Sequence, residues 1–257
     1  IVAPKKLEKD LEDVPEAGKR LAAARRSDLD KIEEQGATLR AVQAYLASIS
    51  YADEQLGRML DALESSEYNS NTVIVFWSDH GWHLGEKRHW HKSTLWEEST
   101  RIPLIIAAPK LKPGVCDQPV SLLDLYPTLL DLCGISGNQQ FDGLSLLPQL
   151  RVPKTKRQPV VIEFRKRNAA VRSARWRYIR YSDDSEELYD HKTDSNEWEN
   201  LASKSKYKMV KQRLAKWLPK KWAEPALSKN KFEFDPDSYS WKNKKTGKMY
   251  FGSNLDN

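Results

Sequence analysis

Two side chains with metal-binding chemistry stand next to each other at Asp79-His80, and a lysine follows at Lys92. A carboxylate offers hard oxygens to a divalent cation, and an imidazole offers a ring nitrogen. Adjacent ligands reach one ion only where the backbone turns between them, and the following Gly81 permits such a turn. A lysine near the ion holds an oxygen of a sulfate or phosphate group by a charge-assisted hydrogen bond. It also offsets negative charge developing on a leaving group. His83, His89 and His91 crowd the same stretch, so four of the five histidines fall within residues 80–91. Read bare, Asp-His-Gly is equally a polar turn with solvated neighbours, because short motifs recur without function.

Several elements must position these groups. Val73 to Trp77 is an unbroken β-branched and aromatic run, which predicts a strand buried on both faces and ending at the Asp-His pair. Before it, Leu39, Val42, Leu46, Ile49, Ala52, Leu56, Met59, Leu60 and Leu63 recur at steps of three and four, the pattern of one apolar helix face. Helix, polar turn and apolar strand form half of an α/β unit. A long loop, Trp82 to Arg101, follows the pair, and long irregular loops in compact domains are often functional. Pro103 precedes a second strand, Leu104 to Ala108. Val120 to Leu132 predicts a helix, kinked or restarted at Pro127 and capped by Gly134. Residues 1–38 predict loop with short helical pieces. Beyond a Pro-containing linker, Val160 to Phe164, Ala170 to Val171, Trp176 to Tyr181 and Glu187 to Asp190 predict a small antiparallel sheet. Tyr207 to Leu218 predicts a last amphipathic helix, followed by a mixed tail that packs locally. The domain expectation is 1–152 for an α/β part and 153–257 for a small α+β subdomain with a charged tail.

With 257 residues the chain is long enough to bury a full core. Charged residues make up 30 %, and the net charge is +6. A basic balance attracts anionic partners, among them acidic polysaccharide and sulfate or phosphate esters. No nucleic-acid motif occurs, and no apolar run approaches the ~20 residues that cross a bilayer. Of the two cysteines, Cys133 sits in an apolar helical pattern and predicts a small core residue; its pairing with Cys116 is not decided by spacing. The chain opens on Ile1, and no signal peptide is expected within these residues. Its charged, Pro-containing first residues look like a connection continuing from something earlier, so a longer parent protein is expected.

Taken in order, Val75-Phe76-Trp77-Ser78-Asp79-His80-Gly81-Trp82, Leu84-Gly85-Glu86, Lys92 and Arg101-Ile102-Pro103-Leu104-Ile105-Ile106 resemble the C-terminal half of the sulfatase catalytic domain, within the alkaline phosphatase superfamily. The resemblance continues through Ser121-Leu122-Leu123-Asp124-Leu125-Tyr126-Pro127-Thr128-Leu129, Asp142-Gly143-Leu144-Ser145-Leu146, Glu187-Leu188-Tyr189-Asp190 and Asn200-Leu201. The SDHGW form and the upstream Ser48 to Asp53 are most similar to the iduronate-2-sulfatase-like branch.

The resemblance implies the C-terminal part of an alkaline-phosphatase-like α/β sandwich. It implies that Asp79 and His80 help hold one calcium ion, that Lys92 contacts the substrate sulfate, and that Trp82 lies near the substrate pocket. No family role attaches to His83, His89 or His91, which are expected as loop-surface histidines. The family nucleophile, a formylglycine made from Cys or Ser in Cys/Ser-Xaa-Pro-Xaa-Arg, has no counterpart: Cys116 precedes Asp-Gln-Pro-Val and Cys133 precedes Gly-Ile-Ser-Gly. Two metal ligands are also too few for calcium, which takes ~6–8 oxygens. The implied partners are a sulfated carbohydrate and the N-terminal half of the same enzyme, without which the chain is expected to be inactive. The implied compartment is secreted, periplasmic or lysosome-like. Two other readings share these residues: a metal-dependent phosphodiesterase or phosphatase of the same superfamily, and a non-catalytic binder of anionic polysaccharide using lysines 204 to 248.

Overall fold

The computed structural model describes residues 1–23, 26–136, 140–223 and 231–251. They divide into two compact units, Ile1–Lys220 and Lys221–Asn257. The division expected between residues 152 and 153 lies inside the first unit.

The first unit opens with an arm of turns and then three helices, α1 (Glu16–Ala23), α2 (Arg26–Glu34) and α3 (Thr38–Glu64). Next come strand β1 (Ile74–Trp77), the short hairpin β2 (His83–Leu84) and β3 (Trp90–His91), helix α4 (Glu97–Thr100) and strand β4 (Leu104–Ala107). Helices α5 (Leu125–Cys133) and α6 (Leu147–Arg151) lead to β5 (Val160–Glu163), β6 (Ala169–Arg172), β7 (Trp176–Arg180) and β8 (Glu186–Asp190). Helix α7 (Lys208–Ala215) follows. The second unit is a three-stranded antiparallel sheet of β9 (Phe232–Asp235), β10 (Ser240–Asn243) and β11 (Met249–Phe251), with β10 central.

The main core lies against the antiparallel β5-β6-β7-β8 sheet. Val14, Ala17, Leu21 and Ala22 of the arm and α1 pack with Ala170, Ile179 and Tyr189 of the sheet, with Tyr181 just after β7, and with Leu95 and Trp96 of the long loop. Gly18 allows this approach: a Cβ there would lie 2.7 Å from both Glu187 Oε1 and the Tyr181 hydroxyl. Glu187 is itself fully buried and accepts hydrogen bonds from Trp96 Nε1 (2.7 Å), Tyr181 (2.5 Å) and Tyr189 (2.5 Å). Three donors thus satisfy one buried carboxyl, as a desolvated polar group requires. A second cluster joins Leu29 of α2, Val42 of α3 and Trp90 of β3, with Trp82 and Leu84 against it.

Three expectations are corrected here. The first strand forms, but it is not buried on both faces. It pairs antiparallel with β4 alone, Ile74 opposite Ala107 and Trp77 opposite Leu104, and Phe76, Trp77 and Ile105 are exposed. A two-stranded pair has no further strand or helix layer on its faces among the described residues, so its apolar side chains meet solvent. The 27-residue α3, about 40 Å long at 1.5 Å per residue, shows the same: its apolar stripe is as read, yet only Val42 is buried. Cys133 is exposed rather than in the core, and both cysteines are free. Pro127 lies where the helix restarts rather than at a kink: a 3-10 turn, Leu122–Asp124, gives way to α5, and Pro127 falls in the first turn of α5, where its missing N–H costs nothing. The 3-10 turn is set by a capping box in which the Ser121 side chain accepts from Leu123 N, and buried Asp124 accepts from Ser121 N at 2.7 Å. Gly134 caps the helix in the left-handed region, as expected.

Candidate active site

Strand β1 delivers Asp79 and His80 to its end. The Ser78 hydroxyl donates to the His80 carbonyl at 2.8 Å, bending the chain out of the strand. Gly81 N then donates to Ser99 O at 2.9 Å, tying the bend to α4. Gly81 is needed for close approach rather than for an unusual turn. A Cβ there would lie 2.0 Å from the Glu98 carbonyl oxygen and 2.9 Å from that of Arg101.

Asp79 and His80 come together. His80 Nδ1 lies 2.9 Å from the Gly81 carbonyl, an acceptor, so Nδ1 carries the proton. Nε2 therefore presents its lone pair, and it sits 3.5 Å from Asp79 Oδ1, another acceptor. Two lone pairs facing at that separation suit a cation, and a backbone carbonyl on the other ring nitrogen is how metal-binding histidines are held. The pair fits as part of a ligand set, although one carboxylate and one imidazole do not make a calcium site.

Trp82 follows on the same surface. Its ring centroid lies 6.2 Å from His80, 6.3 Å from Tyr45 of α3 and 4.6 Å from His91. Lys92 is exposed and has no ion-pair partner among the described residues. Its backbone is fixed by His89, whose Nε2 lies 2.9 Å from the Lys92 carbonyl and whose Nδ1 lies 2.9 Å from Ala22 O of α1.

The histidines divide into two kinds, which corrects the surface reading for two of them. His83 and His89 are buried. His83 Nε2 donates to Thr94 Oγ1 at 2.8 Å, because the Thr94 proton goes to Ser99. Burial, with His89 nearby, pushes the His83 pKa well below the ordinary histidine value. His91 is only half-buried and bonds to Asp28 of α2 at 3.1 Å.

The loop holding these groups is anchored by buried charge that sequence spacing does not reveal. The Lys87 ammonium is buried, 2.6 Å from Asp10 Oδ1, donates to the Glu197 carbonyl, and faces the rings of Trp96 and Tyr189. Residues 85, 87, 88, 91 and 93 all have left-handed φ, four of them not glycine. Such strain persists only where surrounding contacts over-determine it.

A carboxylate cluster, Glu97, Glu197 and His191, places ligand-type atoms within 4.8 Å of one another. It does not fit a dication. Glu97 binds Arg172 and Arg177, and Glu197 binds Arg177 and His191, so two guanidinium groups already take the negative charge.

Glu98 completes the inventory. Burial, reinforced by Glu197 and Glu86, pushes its carboxyl up to about 8, and its Oε2 is buried without a partner. The folded-state value exceeds the unfolded 4.5, so protonated Glu98 favours the fold below about 4.5 and this contribution is lost as pH rises through about 8. Glu98→Gln, neutral at every pH, is expected to stabilise the protein by about 4 kcal/mol more at pH 9 than at pH 5. Paired thermal melts at the two pH values check this, and a pH-independent difference would refute it.

Among proteins already known, two family models match the chain: Sulfatase over residues 9–135, and N-sulphoglucosamine sulphohydrolase, C-terminal, over residues 85–224. The chain is 40 % identical over 219 residues to a sulfatase of Formosa agariphila, a match covering 82 % of this chain and 42 % of that protein. The chain therefore spans less than half the length of this curated relative. A protein solved in complex with its substrate D-glucosamine-2-N,6-O-disulfate superposes with TM-score 0.58 at 32 % identity, over 67 % of this chain and 38 % of that one. The phosphonate monoester hydrolase of Silicibacter pomeroyi superposes with TM-score 0.71 at 28 % identity, over 84 % of this chain and 49 % of that one.

Proposed function

Since the chain belongs to the sulfatase family, we propose that it forms one wall of a sulfuric ester hydrolase site acting on sulfated sugars. The observation that carries this is the facing pair Asp79 Oδ1 and His80 Nε2, 3.5 Å apart at the end of β1 and flanked by Trp82. Asp79 and His80 would hold one side of a calcium ion, whose charge, when bound, neutralises sulfate oxygens. Lys92 binds a further sulfate oxygen, and its position depends on the His89 strap to α1. Trp82 offers an aromatic surface to the sugar. The nucleophile, a formylglycine hydrate in this reading, comes from polypeptide outside these 257 residues, because no Cys/Ser-Xaa-Pro-Xaa-Arg occurs in them. The exposed apolar surface of α3, β1 and β4 supports packing against that N-terminal half. A secreted, periplasmic or lysosome-like location accompanies this reading; no helix among the described residues is long and apolar enough to cross a membrane.

Lys92→Ala, made in the enzyme assembled with its nucleophile-bearing polypeptide, is expected to lower kcat/KM for sulfate esters about 10²–10³-fold, the usual loss for one charge-stabilising donor. Retention of full activity would remove Lys92 from the site. The 257-residue chain alone is expected to show no turnover, and metal-dependent hydrolysis by it would overturn the assignment of the nucleophile. The likeness to a phosphonate monoester hydrolase favours phosphoryl transfer as the second reading. Higher kcat/KM on a phosphonate monoester than on any sulfate ester would select it.

A further inference from the structure

One pair of titratable groups at the site lies outside the ligand set above. His91 Nε2 is 3.1 Å from Asp28 Oδ2. An ionised carboxylate only accepts, so this bond places the imidazole proton on Nε2. Nδ1 is then the acceptor of the neutral ring, and no described residue bonds to it. The ring is half-buried and stands edge-on to Trp82, centroids 4.6 Å apart at 61°. Trp82 in turn lies beside His80. His91 therefore borders the same surface as the metal-side histidine, one residue before Lys92. Its backbone is held at φ 96, a region a non-glycine residue rarely adopts. The pairing of β2 with β3, which sets His91 opposite His83, helps hold it there.

We infer that His91 contacts substrate on the sugar side of the site: its Nδ1 accepts a hydrogen bond from a ring hydroxyl or N–H near the sulfate ester, and Asp28 is its positioning residue. This rests on the sulfatase reading. The ligand class is a polyhydroxylated cyclic sulfate ester, whose C–H face lies on Trp82 while a donor on its edge meets Nδ1. An aryl sulfate shares the reacting group but lacks that donor. His91 thus sets preference between the two and leaves sulfate cleavage itself unchanged.

The test uses the enzyme assembled with its nucleophile-bearing polypeptide, with glucosamine 6-sulfate and 4-nitrophenyl sulfate as probes. His91→Ala is expected to lower kcat/KM for the sugar sulfate about tenfold, mainly through KM, the order of one lost hydrogen bond. The aryl sulfate value should stay within about twofold, since no contact to it is removed. His91→Gln, which retains an acceptor oxygen, should restore part of the sugar preference. Asp28→Asn, which can donate to Nε2 and so move the proton to Nδ1, should lower it in the same direction without touching substrate. An unchanged ratio of the two substrates in His91→Ala and Asp28→Asn, or equal losses on both, overturns the inference while the sulfatase reading stands. If the parent enzyme hydrolyses neither ester, the sulfatase reading fails and takes the inference with it.

Discussion

Arg177→Ala is expected to destabilise the protein by about 3–5 kcal/mol, the cost of removing one partner from a buried ion pair. The Arg177 side chain is 1 % exposed. One guanidinium nitrogen binds Glu97, another donates to Leu95 O at 2.9 Å, and Nε stands 2.5 Å from Glu197 Oε1 in ion contact off the hydrogen-bond axis. Without it, two buried carboxylates face each other with only Arg172 and His191 to offset them. Burial pushes the Glu97 carboxyl up, but Arg177 and Arg172 outweigh it and hold the group at about 2. That value lies below the unfolded 4.5, so the network's contribution is present above about pH 4.5 and lost as pH falls through about 2. Urea titrations of the parent and the variant should accordingly differ most near pH 7 and converge in acid. A difference below about 1 kcal/mol at pH 7 would mean that the cluster is solvated and not a buried ion pair.

Asp10→Ala is expected to cost a similar ~3–5 kcal/mol, because it strands the Lys87 ammonium in the core. The two groups are at most 4 % exposed. Yet burial raises the Asp10 carboxyl in spite of the adjacent lysine, a sign that desolvation rivals the attraction. The double replacement Asp10→Leu with Lys87→Met should therefore recover most of the loss, since an apolar pair of similar volume suffers no desolvation. Denaturant midpoints for the single and double variants decide the matter. A double variant no more stable than Asp10→Ala would show that the Lys87 bond to the Glu197 carbonyl, and not the charge pair, holds the loop.

Much of the fold could be read because its signals are local. The three- and four-residue steps of Leu39 to Leu63 became α3, the run at Val73 to Trp77 became β1, and the aromatic alternation from Val160 to Asp190 became the four-stranded sheet. The α/β class with an antiparallel C-terminal sheet agrees with the solved hydrolases that superpose on the chain. Burial was less legible. A stripe on α3 specifies a face and says nothing about whether the covering layer lies within the same 257 residues. Helices α1 and α2 were expected only as short pieces of a loop, since eight or nine residues give little more than two turns over which a period can show. At the site, Asp79 and His80 were adjacent in sequence and so easy to pair. Asp28 with His91, Asp10 with Lys87 and Glu97 with Arg177 are 63, 77 and 80 residues apart. Charge complementarity at such separations leaves no spacing to detect.

The arm that secures the site has a consequence for synthesis. Asp13 accepts from the Asn200 backbone N–H at 2.7 Å, a contact spanning 187 residues. At roughly 5–20 residues per second, Asn200 is translated on the order of ten to forty seconds after Asp13. During that interval Gly18 has no Glu187 to lie against, and the Lys87 ammonium lacks the Glu197 carbonyl. The nascent α1 is a short amphipathic segment whose apolar side, Ala17, Leu21 and Ala22, stays uncovered until the sheet is made. Residues of the arm are thus made well before their final neighbours on β8 and beyond, and the contact of Lys87 with the Glu197 carbonyl forms only after β8 has emerged.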